Sequence, residues 1–216
     1  MPPTESRARK TGRPPRQRAA ATRDELLDKA IDVFVRRGIQ AATLRDIATE
    51  AGVTPAMLHY HFGDKQGLVG AVVEERVLAA IGALHAELGR PEDVAGLMGT
   101  FARAAMAIGH RHPWLPSLWV REVLSEGGAL RHVLVERVAP MIPRRIAERF
   151  SDAQSRGELD ARLDPRLLVV NLIGLTLFPL AAAPIWRQIF SADDIDEPAI
   201  TAHTLALIGK IAETSP

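Results

Sequence analysis

Apolar residues recur at helical spacing along most of the chain. Near the N-terminus Leu26, Leu27, Ala30, Ile31 and Phe34 fall on one side of a helix with 3.6 residues per turn. Signals for β-strands are missing, since there is one tyrosine, no convincing two-residue alternation and no Asn-Gly or Asp-Gly hairpin turn. The pattern therefore predicts an all-α fold of about nine helices.

Two Thr-x-x-acid pairs mark helix starts in the N-terminal region. Thr22 with Glu25 and Thr43 with Asp46 match the capping box, in which each side chain of the pair bonds the other residue's backbone N–H. Gly38 lies between the two predicted helices, and a residue without a side chain readily ends a helix. The sequence thus predicts one helix from Thr22 to Gly38 and a second that begins directly after Thr43.

Small residues in and after this second helix predict a sharp turn. Two helices that cross steeply approach most closely at a small side chain, which suits Ala48, and a tight turn needs positive φ, which suits Gly52. Thr54 and Pro55 then mark the next helix start, with a hydroxyl at the N-cap and a proline at the first position. The spacing predicts a helix-turn-helix at residues 43–62, a motif that reads DNA in the major groove.

The exposed face predicted for the second helix of this motif carries small and polar side chains. It presents Pro55 and Ala56 at its start and His59 and Tyr60 further along. Small residues let the helix end approach the groove, whereas His59 and Tyr60 can reach phosphates or base edges. Lys65, at the next helix start, is placed for a phosphate. These residues predict a DNA-reading surface.

Charge is distributed unevenly along the chain. Residues 1–70 carry 12 Lys and Arg against 8 Asp and Glu, whereas residues 71–216 have a net charge of −3. A basic N-terminal third suggests an anionic partner that is met at one end of the molecule. Residues 1–21 have almost no large apolar side chains and predict a flexible basic arm. Its Lys10-Thr-Gly-Arg-Pro-Pro segment is similar to minor-groove motifs, with Arg13 in the groove, although general attraction to phosphate explains it equally well.

The segment TLRDIATEAGVTPAMLHYHFGDKQGL, residues 43–68, resembles the tetracycline-repressor (TetR/AcrR) family. The resemblance is strong over residues 22–68 and further along extends only to the helical layout. It implies a homodimeric transcription regulator, mostly a repressor in this family, with a variable ligand-binding C-terminal domain. Thr43 and Lys65 match phosphate contacts of the family, whereas Pro55 and His59 depart from its usual pattern.

Together, the residues and the resemblance give a set of predicted DNA contacts and a division of the chain. We expect a basic arm at 1–21, a three-helix DNA-binding domain at 22–68 and a larger helical regulatory and dimerisation domain at 69–216. The predicted DNA contacts are Thr43, Arg45, Thr54, Pro55, Ala56, His59, Tyr60, Lys65 and Arg13.

Flexible apolar and aromatic residues in the C-terminal region suggest a pocket for a small molecule. Such residues line pockets for apolar ligands, although at helical spacing they also form ordinary core. The predicted pocket residues are Met98, Phe101, Met106, Trp114, Leu118, Trp119, Asn171 and Phe178. The polar residues that could orient a ligand are Arg103, His110, His112, Arg121, Glu122 and Asn171, and their alternative placement is at the surface.

Two predicted helices, at 165–182 and 197–213, are apolar nearly all round and need covering on both sides. A second copy of the chain would supply one cover, which predicts a four-helix dimer interface; burial within one subunit is the alternative. The residues expected at the interface are Leu168, Leu172, Leu175, Leu205 and Ile208. We expect the apolar run from Leu167 to Ile185 to be a buried helix rather than a membrane span, because Asn171, Thr176 and two prolines interrupt it.

Several classes of function lack their motifs. The chain has no cysteine, no Gly-rich phosphate loop, no Gly-x-Ser-x-Gly and no His-Glu-x-x-His. His59 and His61 lie about 200° apart on a helix and cannot hold one ion together. We therefore expect no enzyme activity, metal or cofactor, and a cytoplasmic location.

The function that the sequence favours is a ligand-responsive homodimeric repressor. It would bind a palindromic double-stranded operator and be released by a small apolar or amphipathic effector. An activator and a non-specific architectural DNA-binding protein are the alternatives.

Overall fold

The computed structural model describes residues 21–89 and 93–213, and these are folded into helices without a strand, which confirms the all-α prediction. Eleven helices follow one another in the described ranges. They are α1 Arg23–Arg37, α2 Leu44–Ala51, α3 Pro55–Phe62, α4 65–87, α5 Val94–Arg111, α6 114–124, α7 131–138, α8 Pro143–Ser155, α9 Pro165–Ala181, α10 Ala183–Phe190 and α11 Glu197–Glu213.

Eleven helices are more than the predicted number of about nine, and residues 131–155 contribute two of them. The chain leaves the helix after Val138, and α8 begins at Pro143. Proline at a first helical position removes no helical hydrogen bond, whereas inside a helix it would remove one. Two separate helices therefore fit this segment better than one.

The helix starts of the N-terminal region are where the sequence predicts them. Thr22 and Thr43 each form a complete capping box, and the Asp64 carboxylate accepts from the backbone N–H of Gly67 at 2.8 Å. At the end of α1, Gly38 has a φ of +86°, a conformation that other residues rarely adopt. These caps fix where α1, α2 and α4 begin, and Gly38 fixes where α1 ends.

α1 is the centre of the N-terminal unit, against which α2 and the first part of α4 pack. Leu26, Phe34, Ile47, Leu58 and Leu68 are fully buried there. Burying one such side chain is worth about 1.5–3 kcal/mol, so these contacts dominate the stability of the small unit.

α5 runs through the centre of the C-terminal region and contacts α4, α8, α9 and α11. Phe101 and Met106 of α5 are buried, as is Phe150 of α8. α4 belongs to both regions, since its first half packs on α1 and its last part on α5. Arg76 strengthens the first contact by pairing with Asp24 at 2.9 Å and Asp28 at 3.0 Å.

The apolar run from Leu167 to Ile185 forms two helices rather than one buried helix. α9 and α10 meet at an angle of 69°. Within the described ranges no single helix is long and apolar enough to cross a bilayer. Among those residues, only this bent pair has the required length and apolar composition when its two helices are taken together. The prediction of burial is wrong for one face, because Leu167, Val170 and Phe178 are 60–68% exposed.

Candidate nucleic-acid interface and internal cavity

The turn between α2 and α3 has the geometry that the small residues predict. Gly52 is left-handed, with φ +66° and ψ +32°, and its N–H donates to the carbonyls of Ala48 and Thr49. Ala48 is almost fully buried, and its carbonyl also accepts from the N–H of Val53 at 3.0 Å. The turn is therefore rigid and sets the angle at which α3 leaves α2.

α3 buries one side and presents the other to solvent. Leu58 and Phe62 are buried, whereas the five residues Thr54, Pro55, Ala56, His59 and Tyr60 are all exposed. Tyr60 is 85% exposed, an unusual placement for a tyrosine ring in a folded chain. The exposed residues form one continuous face, which we call the reading face.

Thr54 is the N-cap residue of α3, but its side chain does not make the usual capping hydrogen bond. Its backbone is extended, and its side chain makes no capping bond to α3. The expected capping role is therefore wrong, because Pro55 at the first position already presets the helical φ. The hydroxyl of Thr54 stays available for an external partner.

The two histidines of α3 have different surroundings. The imidazole Nδ1 of His59 lies 2.5 Å from the carbonyl oxygen of Gly63. His61 is half-buried beside the rings of Tyr60 and Phe62. In the ranges that the structure describes, no three His, Cys, Asp or Glu side chains lie together as a metal site would require.

The predicted phosphate contacts flank the reading face. Thr43 is exposed, but its hydroxyl is engaged with Asp46 in the capping box. That hydroxyl and the backbone N–H of Thr43, together with the guanidinium of Arg37, hold the pKa of Asp46 below its ordinary value. Arg45 is exposed, and no carboxylate pairs with it among residues 21–89 and 93–213.

Lys65 is less free than the sequence suggests. It is half-buried, and its Nζ donates to the carbonyl oxygen of Gln40 at 2.8 Å. This bond ties the start of α4 to the segment between α1 and α2. Arg13, the predicted minor-groove contact, lies outside the described residues.

An apolar cavity of about 430 Å³ opens in the C-terminal region between α4, α5, α6, α7, α8 and α9. Its walls include Ile81, Phe101, Trp119, Val138 and Ile173. The volume lies within the range of about 300–1,000 Å³ that is usual for small-molecule sites. The composition of the walls suits an apolar guest.

The polar groups of this cavity are few. Thr176 is buried, and its hydroxyl donates within α9 to the carbonyl of Leu172 at 2.9 Å. Arg144 is the charged residue among the lining residues, and it is exposed at the start of α8. A guest would therefore meet apolar walls and one cation.

Two of the eight predicted pocket residues, Phe101 and Trp119, line this cavity. Trp114 is half-buried and does not line it. The others are placed elsewhere: Met98, Met106 and Leu118 in the core, Asn171 and Phe178 at the surface. For the last two the prediction is wrong, because α9 directs other residues, such as Ile173 and Leu177, towards the cavity.

The predicted interface residues are mostly covered within the subunit. Leu168, Leu172 and Ile208 are at most 6% exposed, while Leu175 and Leu205 are half-buried against the core. Leu168, Leu172 and Ile208 are therefore buried within one subunit, which was the alternative to a dimer interface. The apolar side chains that α9, α10 and α11 leave exposed are Leu167, Val170, Phe178, Ile185, Ile189, Phe190 and Leu207. We call these seven residues the apolar face.

Glu122 is a functional candidate whose place the sequence does not reveal. It was expected to orient a ligand or lie at the surface; it does not line the cavity and is only 4% exposed. Its carboxylate accepts from the N–H of Ile39 at 2.8 Å and from the N–H of Ala129 at 3.1 Å. The one sign of its burial in the sequence is that this acidic residue stands among the apolar residues of α6.

Sequence comparisons align with this picture. Residues 26–72 match the family model described as bacterial regulatory proteins, tetR family. The chain is 36% identical over 94 residues to the HTH-type transcriptional repressor KstR2 of Mycolicibacterium smegmatis, a match that covers 43% of this chain and 46% of that protein. It is 25% identical over 203 residues to the HTH-type transcriptional regulator UidR of Escherichia coli K12, covering 91% of this chain and 96% of UidR.

Solved structures of other proteins share the fold of this chain over most of its residues. The ketosteroid transcriptional regulator KstR2 of Mycobacterium tuberculosis superimposes with a TM-score of 0.71 at 18% identity, over 89% of this chain and 95% of that one. The transcriptional regulator FadR of Bacillus subtilis, in complex with stearoyl-CoA, has a TM-score of 0.63 at 16% identity, over 88% and 99%.

Proposed function

We propose that the chain, which matches the tetR family of bacterial regulatory proteins over residues 26–72, is a ligand-responsive repressor that binds its operator as a homodimer. The observation that carries the proposal is the reading face. It is an exposed row of small, hydroxyl and aromatic side chains on the second helix of the helix-turn-helix. No catalytic role is part of the proposal, and the cytoplasm, where the chromosome lies, is its site of action.

In the proposed complex α3 enters the major groove with its N-terminal end first. Thr54, Ala56 and Tyr60 reach base edges, and Pro55 allows a close approach because it carries no N–H that needs a partner. Phosphate contacts by Arg45 and Lys65 fix the register, and Thr43 joins them when its hydroxyl turns from Asp46 to a phosphate oxygen. Arg13 adds a contact in the minor groove.

A second copy is proposed to cover the apolar face. Seven exposed large apolar residues on three consecutive helices are more than a lone subunit usually leaves in water. Pairing through this face would present two reading helices, and helix-turn-helix dimers engage half-sites about 34–36 Å apart. In this assignment residues 22–68 read DNA, while residues 69–216 bind the effector and the partner subunit.

The effector is proposed to occupy the apolar cavity. Its walls suit an elongated apolar molecule, and Arg144 at its edge suits an anionic group on that molecule. A relative of the same fold is described with stearoyl-CoA bound, which is such a molecule. A ligand releases the operator only when it binds the two states of the protein with unequal affinity.

A competition titration on operator DNA tests the proposal. Specific binding should survive an excess of unrelated DNA, and Thr54→Ala and Tyr60→Ala should each weaken it by about 1–3 kcal/mol, the usual worth of a base contact. Thr201→Ala is the matched control, because Thr201 lies on α11, far along the chain from the reading face. Equal loss of all binding on addition of unrelated DNA would instead indicate an architectural protein.

A further inference from the structure

A buried carboxylate joins the C-terminal region to the helix-turn-helix unit. Glu122 of α6 accepts a hydrogen bond from the N–H of Ile39, 83 residues earlier in the chain, at 2.8 Å. Ile39 follows Gly38, so this amide lies in the segment between α1 and α2. We call residues 38–43 the α1–α2 turn. A charged acceptor makes this hydrogen bond stronger than a neutral one.

Neighbouring groups hold the same turn and the last part of α1. The guanidinium of Arg121 donates to the carbonyl of Val35 at 3.3 Å, and the amide of Gln40 donates to the carbonyl of Gly127 at 2.9 Å. A Cβ on Gly38 would approach Arg121 Nε to 2.9 Å and Glu122 Oε1 to 3.3 Å. α6 and the loop after it therefore pack closely against the α1–α2 turn.

The other end of α6 lines the cavity. Leu115 and Trp119 belong to its walls, and Trp119 precedes Glu122 by only three residues. α6 changes from α-helix to π-helix directly after Trp119, because Val120–Leu124 is a π-helical turn. Such turns are less regular than α-helix and recur at functional sites. A displacement of Trp119 is thus passed to Glu122 through the part of α6 that is least tightly wound.

The α1–α2 turn leads directly to the predicted phosphate contacts. It ends at Thr43, the N-cap of α2, and the carbonyl of Gln40 accepts from Lys65 Nζ at 2.8 Å. A shift of this turn therefore moves both flanks of the reading face. α4 offers a parallel connection, since Arg76 pairs with Asp24 and Asp28 of α1.

We propose that Glu122 is the positioning residue that transmits occupancy of the cavity to the helix-turn-helix. A guest that displaces Trp119 rotates the π turn of α6, withdraws the carboxylate from the N–H of Ile39 and frees the α1–α2 turn. This rests on the ligand response in the proposed function. The switch has two states, because a buried N–H without a partner is costly and the turn must rearrange once the carboxylate leaves.

A double-mutant cycle tests the proposal without the natural ligand. Ala105 is buried in the cavity wall on α5, and Ala105→Phe fills part of the cavity in place of a guest. Alone it should weaken operator binding about tenfold, within the usual range of allosteric coupling. In the Glu122→Met background, where the side chain has a similar size but no oxygen to accept from the N–H of Ile39, the same substitution should change operator affinity less than about twofold.

The controls separate transmission from simple stability. Glu126→Met replaces an exposed carboxylate four residues away and should leave the tenfold effect of Ala105→Phe intact. If Glu122 only stabilises the fold, Glu122→Met lowers the melting temperature while Ala105→Phe keeps its full effect. That result would overturn the proposal.

Hydrogen exchange gives a second readout that does not depend on operator binding. In Ala105→Phe the amides of Ile39 and Ala129 should exchange at least about tenfold faster, because both lose the same acceptor. Unchanged protection at Ile39 would contradict the proposal. Ala139→Phe, which fills the cavity from the segment after α7, replaces Ala105→Phe if the latter does not fold.

Discussion

The imidazole of His59 is bonded to the carbonyl oxygen of Gly63 across the end of α3, with 2.5 Å between Nδ1 and the oxygen. A carbonyl oxygen only accepts, so Nδ1 is the donor in this bond and Nε2 is the ring nitrogen left for another partner. The N–H of Gly63 donates in return to the carbonyl of His59 at 2.9 Å. His59 thus braces the turn that leads to Lys65, although its place on α3 suggested a base contact.

A pair of substitutions at His59 separates the bracing role from a base contact. Asparagine can place an amide N–H near the position of Nδ1, whereas glutamine reaches towards Nε2. We expect His59→Asn to bind operator almost as the wild type does. His59→Gln should bind about threefold to tenfold more weakly, as for the loss of one hydrogen bond. Fluorescence anisotropy measures both, and the reverse order would mean that Nε2 contacts the DNA.

Arg45 should contribute to affinity without contributing to specificity. It is exposed and has no carboxylate partner in the described ranges, so Arg45→Ala should weaken binding to all sequences alike. The slope of log K against log salt should fall in magnitude by about 1. Arg156→Ala removes a distant cation that is paired with Glu158, and its slope should equal that of the wild type. A change in sequence preference with Arg45→Ala would contradict this role.

Charge placed on the apolar face should separate the proposed dimer. Phe178→Glu and Ile189→Glu each introduce a carboxylate at a residue that is 66–68% exposed in the single chain, so the monomer should keep its fold. Burial in an interface would make an unpaired carboxylate costly by several kcal/mol. Analytical ultracentrifugation should therefore show monomers. Leu124→Glu, at a similarly exposed leucine of α6, should stay dimeric, and dimers in all three variants would place the interface elsewhere.

Arg144 should determine whether the cavity prefers an anionic guest. Stearoyl-CoA and octadecanol share an apolar chain and differ in charge, so Arg144→Ala should weaken binding of the first by about tenfold, as for a lost charged contact, and leave the second unchanged. Arg145→Ala is the matched control, since Arg145 is exposed on the same helix and does not line this cavity. Isothermal titration calorimetry measures these affinities. An equal loss for both guests would remove Arg144 from the proposed site.

His112 should make stability fall in mild acid. Desolvation, with Arg111 and Arg76 nearby, lowers the pKa of His112 below its ordinary value of 6.5. The unfolded chain therefore takes up the proton first, and the free energy of unfolding decreases as the pH falls below about 6.5. Urea denaturation at pH 7.5 and 5.5 should show a smaller decrease for His112→Gln than for the wild type. The same decrease in both would contradict this role.

The local signals of the N-terminal region were sufficient to predict its helices. The capping boxes at Thr22 and Thr43 and the left-handed Gly52 depend on residues that are three or four positions apart. Such contacts are set by the backbone and need no knowledge of the rest of the fold. The α2–α3 geometry followed from them.

The cavity and the apolar face could not be predicted in the same way. α9 is apolar nearly all round, so periodicity does not tell which residues, such as Leu172 or Phe178, meet the core. That choice depends on where α5 and α8 lie, which is set by contacts distant in sequence. The burial of Glu122 could not be predicted for the same reason, because its partner Ile39 lies 83 residues away.

Sequence-specific binding by a dimer is tested most directly by the selection of binding sites from a pool of random duplex DNA by the full chain. We expect enrichment of a two-fold symmetric site whose half-sites are about one helical turn apart, or a small multiple of it. The same selection with Tyr60→Ala should lose that site. If the protein binds DNA but no sequence is enriched in the selected pool, the protein is not a sequence-specific regulator.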